Sequence, residues 1–371
     1  MSTATVSALD RGEPVELDWF GCDLRTGQII EDLRSLTPSG PLTKRLGAAT
    51  STSFTLGLAG AGQDWSAATD PGRSLLVGVD RLTDQPVWAG MVLTRDAGSS
   101  WTATLGVTTP EAYLDRRYTG DQTQLQQDQA AVLTGLMASP LTQGPPYVMD
   151  APPTGTLMDY MALDGDDRTV LSALQEVMGQ EGGPEWTVDV AWSDADHSGF
   201  VLPVRVRPAI GLQLADPEAV FDFPGCISTY TLAESYESGK GATAVVARGE
   251  GEGTARLSSG SQIATDLETA GWPRYVHRYT PASGLTDPAQ LTAHAVKALA
   301  LMKTGAKAWT VEAVASQAPR LGRDWGIGDS VRVVVGSSPR HPNGAEIVAR
   351  AWSWELDAAA DRIVPVLIEE D

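Results

Sequence analysis

The stretch Arg73–Tyr118 reads RSLLVGVDRLTDQPVWAGMVLTRDAGSSWTATLGVTTPEAYLDRRY and decides how the rest of the chain is interpreted. It contains three apolar runs, Leu75–Val79, Val87–Leu93 and Trp101–Val107, separated by two polar turns. The third run alternates apolar and polar residues, as a strand with one buried face does. The spacing predicts an antiparallel meander. Thr109-Pro110-Glu111 then predicts a helix start, because a hydroxyl cap, a proline and an acid favour the first turn.

The composition excludes several classes of protein. The 371 residues include 38 Gly and 23 Pro spread along the chain, which favours many short strands and turns. The net charge of −20 and the absence of basic clusters disfavour sequence-specific nucleic-acid binding. No apolar run approaches the roughly 20 residues of a membrane span. Residues 1–14 lack the basic start and apolar core of a signal peptide, so we expect synthesis in a cytoplasm.

The two cysteines, Cys22 and Cys226, form no CxxC pair, which disfavours a thiolate metal site. We expect both to be reduced and buried thiols. The four histidines are His197, His277, His294 and His341, and none of them stands at HxxxH spacing.

The chain divides by predicted secondary-structure content into three regions, which together predict an α+β, mainly β protein. Residues 1–118 are β-rich, with further strands expected near Val15–Trp19 and Ser51–Leu58, a short amphipathic segment or strand at Ile29–Leu36, and a loop at Asp64–Gly72. Residues 119–212 are mixed α+β, and residues 213–371 are β-rich again, with a helical insertion at about 249–306. No fixed-period repeat is present.

The predicted elements of the last two regions follow from periodicity and capping. In the mixed region they are helices at Gln124–Met137 and at Arg168–Met178 (capped by Asp166/Asp167), a loop at Pro140–Pro153, and strands at Glu185–Trp192 and Phe200–Pro208. In the last region they are strands at Ile227–Tyr236 and Ala242–Arg248 joined across Ser238–Gly241, a helix at Leu285–Gly305 capped by Asp287, and strands at Ala308–Ser316, Ser330–Val335, Glu346–Glu355 and Arg362–Ile368.

Three loops contain residues that partly match known binding motifs. Asp194–Gly199 fits the first half of a calcium-binding loop, but Arg205 stands where a bidentate Glu is needed, so a hairpin turn is favoured. Gly249-Glu250-Gly251-Glu252-Gly253 follows a strand as a dinucleotide fingerprint would, but the third glycine comes too early and no apolar helix follows. Ser238–Gly241 lacks the remaining residues of a P-loop and is predicted to be a turn.

Paired carboxylates do not predict an active site in a chain with 47 acidic residues. The adjacent pairs are Asp166/Asp167, Glu31/Asp32 and Glu369/Glu370. A glycosidase pair, whose carboxyl groups lie about 5–9.5 Å apart, is neither favoured nor excluded by the sequence. We therefore predict no catalytic, cofactor-binding or metal-binding residue, and no enzymatic activity.

Several runs together resemble one family. They are PGRSLLVGVDRLTDQPVWAGMVLTRD (71–96), WTATLGVTTPEAYLDRRYTGD (101–121), DDRTVLSALQEVMGQ (166–180), AWTVEAV (308–314), DWGIGDSVRVVV (324–335), AEIVARAWSWELD (345–357) and VPVLIEED (364–371). In the pattern of these runs and in their order along the chain, the sequence resembles minor tail proteins of actinobacterial long-tailed phages. The class it resembles is the baseplate hub or tail tip class, which includes Gp37-like proteins.

The resemblance implies a structural virion protein, a homotrimeric hub at the distal end of a phage tail. Two tube-like β-barrels per chain, residues 1–118 and 213–371, would form a pseudo-sixfold ring, with residues 119–212 placed laterally. Partners would be the distal tail protein, the tape measure protein and downstream tail tip or receptor-binding proteins. An acidic lumen would let DNA pass during ejection.

Two alternative functions stay open. A tail-associated cell-wall hydrolase is compatible with the many acids and the phage context, and a carbohydrate- or receptor-binding tail protein with the eleven Trp. Some hubs of this class carry a C-terminal lytic or receptor-binding extension, whereas this sequence stops at Asp371, just after its last predicted strand.

Overall fold

The computed structural model describes residues 12–180, 182–249, 251–281 and 288–368. The chain forms two compact units, one of residues 1–230 with 311–371 and one of residues 231–310. Strands predominate among the described residues, so the prediction of a mainly β fold is confirmed. The predicted three-region division at 118 and 212 stays a prediction. None of the helices in the described part is long and apolar enough to cross a membrane.

A sheet of seven strands contains the predicted meander. Numbered along the chain, its strands are Leu17–Asp23 (β1), Ile29–Asp32 (β2), Leu36–Pro38 (β3), Ser51–Gly57 (β5), Ser74–Asp80 (β6), Gln85–Ala97 (β7) and Thr102–Thr108 (β8), and the strand Leu42–Arg45 (β4) belongs to another sheet. The spatial order is β2-β1-β6-β7-β8-β5-β3, and all neighbours are antiparallel. The three predicted strands are therefore confirmed as β6, β7 and β8.

Three aromatic rings show that this sheet is strongly rolled. Trp19 in β1 and Phe54 in β5 lie four strands apart, which in a flat sheet is roughly 19 Å. Their ring centroids are 4.9 Å apart, and Trp88 in β7 lies 6.0 and 5.6 Å from them. Such a triangle needs a concave face. Gly78 in β6 faces it, since a Cβ there would lie 2.9 Å from the Trp19 ring.

The edges of the sheet support the same conclusion. The edge strands β2 and β3 are consecutive in the chain and are joined by residues 33–35, which span no more than roughly 14 Å. The backbone N–H of Leu33 donates to the carbonyl of Trp19, and that of Gly57 donates to the carbonyl of Ser35. The link is therefore bonded to both ends of the strand order.

The middle of the chain packs against the convex face of the rolled sheet. Its elements are Gln122–Asp128 (β9), Tyr147–Asp150 (β10), Leu157–Ala162 (β11), Glu185–Val188 (β12), Ala191–Trp192 (β13), Phe200–Arg207 (β14), and the helices Gln129–Leu136 (α2), Ala138–Gln143 (α3) and Val170–Met178 (α4), following the earlier helix Trp65–Ala68 (α1). β14 lies between β10 and β12 and also pairs with β13, and β9 pairs with β11. Leu75, Val77 and Val79 of β6 share one core with Leu133 and Trp186.

A second large sheet is formed mainly by the C-terminal part of the chain. Its strands are Val220–Phe223 (β15), Ile227–Ser235 (β16), Ala306–Val314 (β20), Ser330–Val335 (β21), Ala345–Asp357 (β22) and Arg362–Ile368 (β23), in the order β15-β21-β22-β23-β20-β16. β4 joins this sheet by pairing with β22, so the N-terminal region supplies one of its strands. The edge strands β15 and β16 are again consecutive and joined by three residues, 224–226.

The two large sheets share a strand order. The series β6-β7-β8-β5-β3 corresponds, strand for strand and in the same chain order, to β21-β22-β23-β20-β16. The next neighbour differs, because β1 is antiparallel to β6 whereas β15 is parallel to β21. The chain thus repeats one strand order, although its sequence shows no fixed-period repeat.

The second unit contains a three-stranded sheet and two helices. Its elements are Ala244–Ala247 (β17), Gln262–Ile263 (β18), Val276–Tyr279 (β19), Thr265–Thr269 (α5) and Pro288–Met302 (α6), and the sheet order is β18-β17-β19. Leu291 and Ala295 of α6 pack on Ala242, Val245 and Ala247. The predicted long helix is present from Pro288, while its predicted cap Asp287 lies outside the described residues.

Two predicted helix starts are wrong because another group forms the cap. Asp128 ends β9, and its carboxylate accepts from the N–H of Ala130 at 2.9 Å, so α2 begins after the predicted start. Thr169, not Asp166 or Asp167, caps α4 by accepting from the N–H of Ser172 at 3.2 Å. The predicted helix start after β8 is confirmed, because Pro110–Arg116 is a 3₁₀ helix, but the Thr109 hydroxyl accepts from the N–H of Thr50 instead of capping it.

Other local predictions are wrong because tertiary packing decides the structure. Residues 140–153 are not one loop: they include part of α3 and also β10, which adds to β14 in parallel. The Tyr147 hydroxyl donates to the carbonyl of Pro110 at 2.7 Å, which fixes β10 in the core. Trp101 precedes β8 and is 75% exposed, and α1 interrupts the predicted loop at 64–72. β17 pairs with β18 and β19 rather than with β16.

We expect that Leu105→Lys prevents folding, because Leu105 is fully buried in β8 and an unpaired charge there costs more than about 4 kcal/mol. Thr104→Lys is the matched control, since Thr104 is exposed on the same strand opposite Asp96. Circular dichroism and urea unfolding of both variants are the measurement. A native-like Leu105→Lys protein would contradict the assignment of this strand face.

Candidate functional site

The loop Asp194–Gly199 is a hairpin turn, as predicted. It joins β13 to β14, which pair antiparallel at Trp192 and Phe200. The Asp194 carboxylate accepts hydrogen bonds from the Ser198 and Ser193 hydroxyls and from the N–H groups of Ser198 and Asp196. These hydrogen bonds lower the pKa of Asp194 to about 2. The bond from the Ser198 hydroxyl contributes most to the shift. The loop itself thus supplies the hydrogen-bond donors for the Asp194 carboxylate.

The other sequence candidates are dispersed over the described part of the chain. His197 stacks on Trp192 with ring centroids 4.1 Å apart, and the His341 ring contacts the Tyr230 hydroxyl through Nδ1 at 2.8 Å. Residues 238–240 form the predicted turn, where Lys240 pairs with Glu237 at 2.8 Å. No cluster of three or more His, Cys, Asp or Glu suited to a metal ion occurs among the described residues.

The adjacent carboxylate pairs have structural partners or lie on the surface. Glu31 accepts from the N–H of Asp64 at 3.0 Å, and Asp32 pairs with Arg34 at 2.8 Å. Asp166 and Asp167 are exposed at a 3₁₀ turn. The pair Glu369/Glu370 lies outside the described residues.

Most tryptophans belong to the core. Six of the eleven are buried: Trp19, Trp88, Trp186, Trp309, Trp325 and Trp354. The Cys22 and Cys226 thiols are buried as expected, and burial raises the pKa of Cys22 to about 12. The abundance of Trp therefore reflects packing in the core and is weak support for a carbohydrate-binding surface.

A buried ion pair connects the first sheet to the segment before β21. Asp80 ends β6, and its two carboxylate oxygens accept from Nε and Nη2 of Arg320, both at 2.6 Å. The side chains are 2% and 5% exposed. Arg320 Nη1 also donates to the carbonyl of Glu13 at 3.0 Å. This bidentate geometry satisfies charges that would be costly to bury alone.

A second buried pair connects the middle region to the second large sheet. Arg350 of β22 forms a bidentate pair with Glu185, which begins β12. Arg350 also donates to the carbonyls of Gly328 and Ile210 at 2.9 and 2.7 Å. The N–H of Ile210 donates to Glu185 at 2.7 Å. The guanidinium group and the carboxylate are thus bonded on several sides.

A third pair brings together segments from all three sequence regions. Lys44 of β4, a strand of the second sheet, pairs with the fully buried Glu111 at 2.9 Å. The same ammonium donates to the carbonyl of Val188 at the end of β12. Trp88 of β7 donates from Nε1 to the carbonyl of Thr43 in β4 at 3.1 Å. β4 is therefore held from both sides.

Lys44 of the third pair also lines a cleft of about 380 Å³ in the first unit. Its polar lining is engaged in structural contacts: Asp189 pairs with Arg205, and Asp329 accepts from the N–H groups of Leu212 and Gly326, each at 2.7 Å. No His, Cys, Ser or Thr is among the described residues that line it. The arrangement joins chain segments and presents no nucleophile next to a base.

Sequence reasoning missed all six residues of the buried pairs. A signal was present, because Asp80 ends the apolar run SLLVGVD and Arg350 interrupts IVARAW, where every neighbouring position is hydrophobic. A charge inside an apolar strand predicts a buried partner. It does not indicate which of 47 acids or 27 bases that partner is.

The fold is similar to that of solved phage tail proteins. A tail protein from Neisseria meningitidis MC58 is 14% identical, with a TM-score of 0.59 over 95% of this chain and 97% of that chain. The 43 kDa tail protein of prophage MuSo2 from Shewanella oneidensis is 12% identical, with a TM-score of 0.59 over the same shares.

A third neighbour is also a prophage tail protein. The prophage tail protein gp18 from Listeria monocytogenes EGD-e is 10% identical, with a TM-score of 0.53 over 94% of each chain. No protein-family model and no curated protein sequence matches this chain. At such identities the likeness shows a shared fold, which extends over nearly the whole of all four chains.

We expect that Asp80→Asn lowers the free energy of unfolding by about 3–5 kcal/mol, because it leaves the Arg320 charge buried without a counter-charge. Asp18→Asn is the control, since it removes a surface partner of Arg81 and costs about 1 kcal/mol or less. Urea unfolding of both variants is the measurement. Equal losses in the two variants would contradict the role given to the buried pair.

We expect the Asp194 carboxyl group to titrate with a pKa of about 2 in a carboxyl-detected NMR experiment. Because the folded pKa is lowered, the stabilisation is present above the unfolded value and is lost as the pH falls toward 2. Ser198→Ala removes the largest cause, so the titration midpoint of Asp194 is expected to rise. An unchanged midpoint in that variant would refute the assignment.

Proposed function

We propose that this chain is a structural tail protein of a phage or phage-derived particle, and that three copies form the hub at the distal end of the tail. The supporting observation is the repeated five-strand order within a fold that nearly full-length prophage tail proteins share. The fold alone supports a tail protein, and the internal repeat supports the hub.

The repeated strand order connects the proposed number of chains in the hub with the six-fold symmetry of a tail tube. Each large sheet is proposed as one tube-like barrel, the first within residues 1–118 and the second within 213–371, to which the first region adds β4. Three chains then supply six similar barrels around one axis, which matches a six-fold tube above the hub. The mixed region 119–212 is placed laterally, and the second unit is an insertion between β16 and β20 of the second barrel.

The charge of the chain suits a channel for DNA. With a net charge of −20, a ring of three copies carries a strongly negative field, which disfavours adsorption of phosphate backbones. An acidic lumen therefore lets DNA pass during ejection without binding it. The proposed partners are the distal tail protein, the tape measure protein and downstream tail tip or receptor-binding proteins.

A structural role also suits the cleft that Lys44 lines. Contacts of the buried pairs link β4 to β12 and β12 to β22, and β4 pairs with β22, as a rigid connecting element requires. The proposed location is the tail tip of a virion, after synthesis in the host cytoplasm. No enzymatic activity is proposed.

Native mass spectrometry at micromolar concentration is expected to show a trimer, and electron microscopy a ring with pseudo-sixfold symmetry. The reason is that each chain contributes two related sheets. Particles formed with the distal tail protein of the same tail are the second sample, because assembly on a partner is a route to the ring. A monomer in both samples, or a ring without pseudo-sixfold symmetry, would rule out the hub.

A further inference from the structure

The second unit contains a cleft at the carboxyl ends of two parallel strands. β17 and β19 are parallel neighbours, with Ala247 opposite Tyr279, so both strands end at the same edge. Arg248 follows β17 and Thr280 follows β19, and both line a cleft of about 380 Å³. In open sheets, ligands bind in the crevice outside the carboxyl ends of parallel strands. The position is therefore suited to a ligand.

Three arginines converge on this cleft in a strongly acidic protein. Arg248, Arg256 and Arg278 line it together with Gly253, Tyr279 and Thr280. Among the described residues, none of the three arginines forms an ion pair with a carboxylate. Arg274 provides the contrast, because it pairs with Glu268 at 2.5 Å. Three guanidinium charges at one cleft repel one another, and a bound anion would relieve that repulsion.

Arg256 is held in place by neutral groups. Its Nε donates to the carbonyl of Gly249 at 3.2 Å, and its Nη2 donates to the hydroxyl oxygen of Thr280 at 2.8 Å. These bonds orient the guanidinium without neutralising it, and they leave further N–H groups for a ligand. The Thr280 hydroxyl accepts in this contact, so its own proton remains available to donate.

The glycine-rich loop after β17 brings Arg256 back to the strand ends. Gly251 has φ +110°, and a Cβ there would lie 2.8 Å from the carbonyl of Ala255, so a side chain does not fit. Gly253 lines the cleft and has no atom within 4 Å of a Cβ position. Glu250 lies outside the described residues, and Glu252 is exposed. The loop ends in a short 3₁₀ turn, Gly253–Ala255, so the binding groups are arginines rather than the N-terminus of an α-helix.

The donors around the cleft suit a phosphate group. We propose that Arg248, Arg256, Arg278 and Thr280 form a binding site for a phosphomonoester or phosphodiester. A phosphate monoester carries about two negative charges and three strong acceptor oxygens, which donors from two strand ends and a loop reach from different directions. A planar carboxylate satisfies one arginine fork and leaves the other charges uncompensated. This site is independent of the proposed hub, since every contributing residue lies in the second unit.

Isothermal titration calorimetry of the full chain with inorganic phosphate, in a low-salt buffer at neutral pH, tests the site. Saturable binding is expected, and Arg278→Gln is expected to weaken it about tenfold or more, because a charge-assisted bond is lost. Arg274→Gln is the control, since it removes the same charge from an exposed position of the same unit that does not line the cleft. Circular dichroism verifies that both variants are folded.

The outcomes separate the site from non-specific attraction. Absence of binding, or equal weakening in Arg278→Gln and Arg274→Gln, would overturn the proposal. Glycerol 3-phosphate and dimethyl phosphate, titrated separately, distinguish a monoester from a diester as the source of the group. Succinate that binds as tightly as phosphate would overturn the choice of phosphate over carboxylate.

Discussion

Buried guanidinium–carboxylate pairs are the constraint on which the first unit depends. An arginine in the low-dielectric interior must meet a carboxylate there, or the cost of burial exceeds what the core supplies. Arg320 and Asp80 are 240 positions apart in the chain, and Arg350 and Glu185 are 165 apart. Each pair therefore specifies one arrangement of distant segments. Hydrophobic contact alone tolerates shifts in register, whereas a bidentate pair with additional carbonyl acceptors has one geometry.

The rolled sheets give those pairs their positions. Trp19, Phe54 and Trp88 close the concave face of the first sheet, and the Nε1 of Trp88 then holds β4, a strand of the second sheet. The two large sheets are thus not independent modules, although they repeat one strand order. In the proposed hub, this joined pair of sheets would fix the angle between neighbouring barrels within each chain.

The second unit follows different rules. Its parallel strand pair and packed helix make a small α/β element, and its arginine-lined cleft is electropositive within a chain of net charge −20. Most arginines of the first unit, by contrast, are paired with acids. This charge distribution would separate repulsion of phosphate from binding of phosphate. The acidic surface repels phosphate groups, and the three converging guanidinium groups of the proposed site bind one.

The sequence by itself determined the strand meander and the mainly β class, because apolar periodicity and turn residues act locally. It predicted β21 and β23 with their observed bounds and placed a long helix near Pro288. Only the tertiary structure decided that Gln122–Asp128 is a strand, that β4 joins the distant sheet, and which acid each buried arginine meets. It alone brought three arginines from separate segments to one cleft. These features depend on contacts between residues far apart in the chain, and local propensity carries no information about which distant segment will supply the partner.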